Sequence, residues 1–422
     1  MTHPITPENV TRVEFSNGIT ALLKENFTNA SISLRGRLRA GAMYETDTLA
    51  GLASFTAVAL QRGTQKYSFQ KLNELYDNAG MSFGVSAGTE TASFGGKALT
   101  EDFEALLEIA AQALLQPTFP KPEIEKLRGQ IITGLREAQD DTRYVAWTKF
   151  EELAFPVGHP YHRPSDGTEA TVKRLTRAKL AEFHNKYFRP EGAIFVIVGD
   201  IPTQKAIDLI AKYFGGWKGK KNLPFAIPDA PFAARALRRD IPMAGKIQTD
   251  VVLGYPGIKR NDRAFYALRT ADLIFGQLGL SGRLGEIVRD RMGLCYYAYS
   301  ALNAGIGAGA WAIGTGVNSR NVDAAIEAIG VEIQRLRAEG VTADELAHAQ
   351  DYLTGSLALR LETNDGVAAT LADMELYDLG MDYIVRYADL FRGVTREQIL
   401  EAVDKYARLE EAVIVTAGPA PA

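Results

Sequence analysis

The strongest constraint on this chain is an internal repeat. Residues 175–200 read LTRAKLAEFHNKYFRPEGAIFVIVGD and residues 394–419 read VTREQILEAVDKYARLEEAVIVTAGP. One constant offset places Thr176 on Thr395, Arg177 on Arg396, Lys186 on Lys405, Tyr187 on Tyr406, Arg189 on Arg408 and Gly199 on Gly418. A chain that repeats itself at about half its length is built from two copies of one unit. Each copy spells the same local structure: a threonine suited to cap a helix, the helix itself, a short loop, and a β-branched apolar strand ending at glycine. A second pair of segments agrees. Glu101–Leu115 carries Phe103, Leu106, Leu107, Ala110 and Leu114 at helical spacing, and Val322–Leu336 carries Ile326, Ile329, Ile333 and Leu336. Each is followed by another helix, the first entered through Pro120 and Pro122, the second through Thr342 and Glu345 spaced as a capping box.

Strand signals such as Ser31–Leu38 and Thr91–Leu99 alternate with these helices, so the 422 residues divide into two similar α+β domains. The expected division is residues 1–216, a linker at 217–236, and residues 237–422. Gly215–Pro231, with Gly215, Gly216, Gly219, three prolines and a lysine run, has the composition of an exposed linker. With 46% hydrophobic residues the chain has a core to bury, which excludes a disordered tether. Its 47 basic residues against 51 acidic ones leave no electrostatic footprint for nucleic acid. The apolar runs, Ala193–Val198 among them, are strand-sized, so no membrane span is expected. The opening Met1–Thr6 shows no signal peptide, which points to a cytoplasmic protein, or a periplasmic one if a leader has been removed. Cys295 is the sole cysteine, which excludes a disulfide framework and any multi-cysteine zinc site.

Three segments carry a family resemblance: Ala40–Phe55 (AGAMYETDTLAGLASF), Gly158–Asp200, and Gly282–Ser300 (GRLGEIVRDRMGLCYYAYS). From about residue 10 to its end the chain resembles the pitrilysin/insulinase family of zinc peptidases, the inverzincins. That family includes the mitochondrial processing peptidases, the core proteins of the respiratory bc1 complex and bacterial two-subunit peptidases. The resemblance implies a mostly antiparallel sheet backed by helices in each domain, and a chain forming half of a clamshell.

Active members carry an inverted motif, His-x-x-Glu-His, whose helical spacing puts two imidazoles on one face beside the carboxylate that activates the zinc-bound water. Here Gly51–Thr64 reads GLASFTAVALQRGT. Aligned without a gap, Ser54 and Val58 stand at the histidine positions and Ala57 at the general base. The third ligand, a glutamate in the family, falls on Gly134. Valine and alanine cannot coordinate a metal and a lone serine is a poor ligand, so no zinc site of the family type is expected. The chain is then no enzyme on its own, and holds no cofactor; zinc is expected in a partner subunit.

A second family feature is retained. Active members place an arginine and a tyrosine, seven residues apart, against the tetrahedral oxyanion, and here Arg289 and Tyr296 match that motif. Before them, Gly276, Gly279 and Gly282 stand where processing-peptidase partner subunits carry a glycine-rich substrate loop. The function implied is the non-catalytic subunit of a heterodimeric zinc peptidase, giving Arg289 and Tyr296 in trans to a homologous catalytic partner. Its substrates would be peptides or unfolded polypeptides, bound as an added strand on a sheet edge in the partner. The alternative is a purely structural assembly subunit like the bc1 core proteins.

Other chemistry-bearing residues read as structural. His159 and His162, with Asp166, form the best alternative metal constellation, but Pro160 and Pro164 deny it a regular helix. His184 sits on the repeat helix and is expected to pack. Glu345 and His348 read as a surface helix pair, Cys295 as a core cysteine, and Trp147, Trp217 and Trp311 as packing residues.

Overall fold

The computed structural model describes residues 5–219 and 224–420. The first four residues of the opening, and 220–223 of the expected linker, lie outside the described residues.

Two sheets form. The first contains β1 (Thr11–Glu14), β2 (Thr20–Glu25), β3 (Ser31–Leu38), β4 (Ser82–Ala87), β5 (Ala92–Leu99) and β6 (Ile194–Gly199), in the order β1-β2-β6-β3-β5-β4. The second contains β7 (Leu237–Pro242), β8 (Gln248–Pro256), β9 (Cys295–Ala304), β10 (Ala308–Asn318) and β11 (Val413–Gly418), in the order β7-β11-β8-β10-β9. Apart from the extra β1, the two orders are the same. In each, the strand of the repeat supplies the single parallel pairing, β6 beside β2 and β11 beside β7, and every other pairing is antiparallel. The expected class, α+β with two mostly antiparallel sheets backed by helices, is what the chain adopts.

The repeated side chains do repeated work. Thr176 caps the helix Arg177–Tyr187 and Thr395 caps Arg396–Tyr406, each accepting from the backbone N–H three residues on. Arg177 donates to the Phe119 carbonyl (2.8 Å) and Arg396 to the Val341 carbonyl (2.6 Å), so both copies tie the repeat helix to the loop entering an earlier helix. Arg189 and Arg408 each donate to the carbonyl three residues back, at Lys186 and Lys405. These bonds satisfy backbone carbonyls that would otherwise lack a partner, which is why the arginines recur.

The packed units are not the two contiguous domains expected. One comprises residues 1–134, 164–225 and 357–385, the other 135–163, 226–356 and 386–422. Each half of the chain lends a helix to the other half's sheet. Thr142–Ala154 packs on β8 and β11, where Ala146, Phe150 and Ala154 join Val252, Ala312 and Val415 in one core. Asn364–Leu376 packs on β3 and β6 and buries Val367, Ala368 and Leu371. Its acidic residues meet arginines of the first sheet: Arg12 grips Glu375 with two bonds (2.8 and 2.9 Å), Arg35 grips Asp365 likewise (2.6 and 2.7 Å), and Arg37 reaches Asp373 at 3.3 Å. Helical periodicity shows which face of a helix is apolar but not which sheet that face covers, so a cut at the linker misassigns both segments.

The described parts of the linker are mostly exposed, as expected, but are pinned at a few positions. Trp217 and Ile227 are buried, Tyr44 donates to the Pro224 carbonyl (2.9 Å), and the Arg39 guanidinium lies over the Phe225 ring.

Candidate functional site

In the first unit the degenerate motif does form a helix, Leu52–Ala59. Its entry is fixed by two features. Gly51 has φ +91°, and a Cβ there would meet the Asp166 carbonyl oxygen at 2.7 Å, so the lead-in position demands glycine. The buried Glu45 carboxylate accepts the first helical N–H groups, from Gly51 (3.0 Å) and Ala53. A carboxylate at a helix N-terminus satisfies orphan donors and suits the local dipole. Sequence reasoning passed over Glu45, since it lies six residues upstream of the motif and outside any cap spacing.

On this helix Ser54 and Val58 are half-buried one turn apart, and Ala57 is fully buried. The Ser54 hydroxyl donates to Asp166 (2.9 Å). Gly134 is exposed on the helix Lys121–Gln139 and brings no side chain. The donor set is therefore one hydroxyl, already committed to a carboxylate, two hydrocarbon side chains and a glycine. It does not fit zinc. Among the described residues, no three histidine, cysteine or acidic side chains gather as a metal site.

In the second unit, Arg289 and Tyr296 flank a sharp change of backbone. Gly285–Arg291 is wound as a π-helix, closed by Gly293 at φ +61°, whose N–H donates to the Arg289 carbonyl (3.0 Å). β9 then begins with an irregularity: Cys295 pairs with Val317 and Tyr297 with Gly316, leaving Tyr296 as an unpaired extra residue. A bulge of this kind re-aims a side chain, and Tyr296 is 79% exposed. The Arg289 guanidinium lies 5.7 Å from the centre of its ring. Two donors, one cationic and one phenolic, thus stand together on an exposed surface. Cys295 beside them is half-buried, and burial raises its thiol pKa above the ordinary range.

The segment before them is anchored by Asp272, which sequence reasoning missed. Its side chain is 0% exposed and accepts from Trp311 Nε1 (2.9 Å), the Leu302 N–H (3.2 Å), Gln277 (2.6 Å) and Arg269 (3.0 Å). Burial pushes its carboxyl above the usual carboxylate range, against the pull of Arg269. A second π-helical turn, Leu273–Gln277, follows directly. π-Turns are uncommon and cluster at functional sites, and here two bracket the glycine-rich stretch. Of its glycines, Gly276 is buried, and a Cβ there would come within 2.4 Å of the Ser300 N–H nitrogen, so this glycine lets β9 approach. Gly279 has φ +60° and open space around it, while Gly282 packs near the Ile274 carbonyl. Arg283, buried at the far end, is held by Glu345 (2.6 and 2.8 Å) and the Gly340 carbonyl (2.8 Å). Glu345 is therefore a partner of Arg283 and a capping residue, with His348 exposed beyond it.

The histidines are structural. His159 accepts from the Tyr161 N–H (3.1 Å) and donates to the Pro228 carbonyl (2.9 Å), His162 donates to Phe155, and His184 donates to Leu114 (2.8 Å). Burial lowers the pKa of His159 and His184, favouring neutral rings, the form His159 needs in order to accept from Tyr161. A cavity of about 580 Å³ in the first unit, lined in part by Lys24, Glu25, Phe27 and Thr203, includes none of the motif positions.

Comparison with known proteins agrees along most of the chain. Residues 20–156 match the family described as insulinase (peptidase family M16), and residues 174–353 match the peptidase M16 inactive domain. An uncharacterized zinc protease of Streptomyces coelicolor is 25% identical over 80% of this chain and 74% of its own length. A Bacillus subtilis protein of the same description, YmxG, is 23% identical over 84% of this chain and 85% of its own. Among solved structures, a peptidase M16 inactive domain from Pseudomonas fluorescens superposes with a TM-score of 0.91 at 24% identity, covering 98% of both chains. A protease from Helicobacter pylori superposes at 0.89 with 19% identity, covering 97% of this chain and 99% of the other.

Proposed function

Because the chain belongs to peptidase family M16, the insulinase family, its motif helix can be judged against that family's chemistry, and we propose that the protein is the non-catalytic subunit of a two-chain zinc peptidase. The observation that carries this reading is an asymmetry of loss. The motif helix is still folded and capped, yet every position that would ligate or act as base is chemically mute: Ser54, Ala57, Val58 and Gly134. Arg289 and Tyr296, useful for stabilising an oxyanion opposite such a site, are kept, adjacent and exposed.

In this reading a homologous partner brings zinc and base. This chain completes the substrate chamber and directs the Arg289 guanidinium and the Tyr296 hydroxyl at the oxygen that gains charge as a peptide carbonyl is attacked. Donors already in place for that charge are worth most when no reorganisation is needed at the moment of reaction. The bulge at Tyr296 and the π-turn at Arg289 supply such fixed placement.

The test mixes the zinc-bearing homologue with wild-type, Arg289→Ala or Tyr296→Phe chain, confirms heterodimer formation by gel filtration, and measures turnover on an unstructured peptide. Loss of either donor is expected to lower turnover on the order of 10²-fold with assembly intact. A mutant heterodimer that assembles and cleaves at the wild-type rate would refute the in-trans role and assign the chain to a structural class.

A further inference from the structure

Each sheet has two edges, and an unpaired edge invites another strand. Three of the four edges carry a recognisable protection. β1 is only four residues long and carries Arg12 and Glu14, β7 carries Arg238, Arg239, Asp240 and Pro242, and β9 is broken by the bulge at Tyr296. β4, SFGVSA, has no charge, no proline and no bulge, and it lies at the end of its sheet.

The pairing of β4 shows which backbone groups are free. The Gly88 N–H bonds Thr91 across the hairpin, so the alternation of an antiparallel pair turns Ser82, Gly84 and Ser86 toward β5 and leaves Phe83 and Val85 pointing outward. Those two residues meet a side chain. Gln61 lies on the short turn Leu60–Arg62 that continues the motif helix, in line with Ser54 and Val58. With its carboxamide oriented to satisfy both groups, its nitrogen donates to the Phe83 carbonyl (2.8 Å) and its oxygen accepts from the Val85 N–H (3.1 Å). A glutamine amide has the donor and acceptor of a peptide group, and here it sits where the next strand's backbone would.

We infer that Gln61 is a side-chain latch on the open edge of β4, which keeps an extended polypeptide from adding to this sheet until the carboxamide swings away. The latch does not depend on the in-trans role of Arg289 and Tyr296. It does explain how a subunit built to stand beside unfolded polypeptide could carry an unprotected edge without capturing the chain itself. Losing the two competing hydrogen bonds removes a barrier worth on the order of tenfold in strand affinity.

The experiment compares wild-type chain with Gln61→Ala and Gln61→Leu. Leucine keeps the bulk and lacks the amide, and position 61 is only half-buried, so both variants are expected to fold, which thermal unfolding verifies. Two quantities are read: hydrogen exchange of the Val85 amide, and binding of a fluorescein-labelled decapeptide of alternating valine and threonine. Both variants should exchange Val85 on the order of tenfold faster and bind the peptide on the order of tenfold tighter, with new protection over residues 83–87. Unchanged exchange at Val85 in both variants would overturn the latch. So would a wild-type chain that takes the peptide along β4 as tightly as the variants do.

Discussion

Tyr296 owes its exposure to one unpaired residue in β9, and Ser54 owes its silence to one carboxylate, Asp166. These are the residue-scale facts on which function turns. The wild-type chain should carry substoichiometric zinc after purification and overnight dialysis against zinc, because a committed hydroxyl is its only candidate ligand among the motif positions. Elemental analysis finding about one tightly held zinc per chain would overturn that expectation. The substitutions Ser54→His, Ala57→Glu, Val58→His and Gly134→Glu, made together, should raise zinc affinity but not restore turnover. Ala57 is completely buried, so a glutamate there would push its carboxylate into packed hydrocarbon, and none of the supporting hydrogen bonds that orient ligands is in place.

Among the elements, the two exchanged helices decide most. On Thr142–Ala154, burial raises the Glu151 carboxyl pKa to about 7, well above its unfolded value. The folded state therefore holds that proton more tightly than the unfolded chain, so its contribution is complete below about pH 4.5 and is lost as pH rises through 7. Glu151→Gln should match wild type in stability near pH 4.5 and exceed it at pH 8.5, by on the order of 2 kcal/mol, as read by urea unfolding. Equal stabilities at pH 8.5 would show that the carboxylate finds water in the folded state. The sequence made some elements legible and left others hidden. The repeat announced β6, β11 and their capped helices, because identical side chains satisfy equivalent carbonyls in both copies, whereas the shared strand order is visible only in the folded chain. The motif segment and the Arg289/Tyr296 pair were picked out by the family resemblance and not by spacing alone, and the motif segment is a helix. Asp272, Gln61 and Glu45 were not legible, since each acts on groups brought close only by folding, and no local spacing marks a buried carboxylate or an amide that mimics a strand.

For the whole molecule, the exchange of segments makes the halves interdependent. A chain cut between Phe225 and Ala226 leaves its first fragment without Asn364–Leu376, so the Arg12, Arg35 and Arg37 side chains lose Glu375, Asp365 and Asp373, and the β3 and β6 face loses Val367, Ala368 and Leu371. The same fragment keeps Thr142–Ala154 with Ala146 and Phe150 facing water, while the second fragment's sheet stands uncovered where those residues belong. Losing the burial of Val367, Leu371 and Met374, at about 1.5 to 3 kcal/mol each, removes an amount comparable with the 5 to 15 kcal/mol margin of a typical domain. Neither fragment alone should unfold cooperatively, and each should bind the hydrophobic dye ANS or precipitate. Produced together, residues 1–225 and 226–422 should associate into one species that co-elutes on gel filtration and melts in a single transition, because both exchanged helices can then reach their sheets. A monomeric, cooperatively melting 1–225 fragment would mean that its own sheet is stable without the borrowed helix, and that the exchange is a detail of packing with no hold on folding.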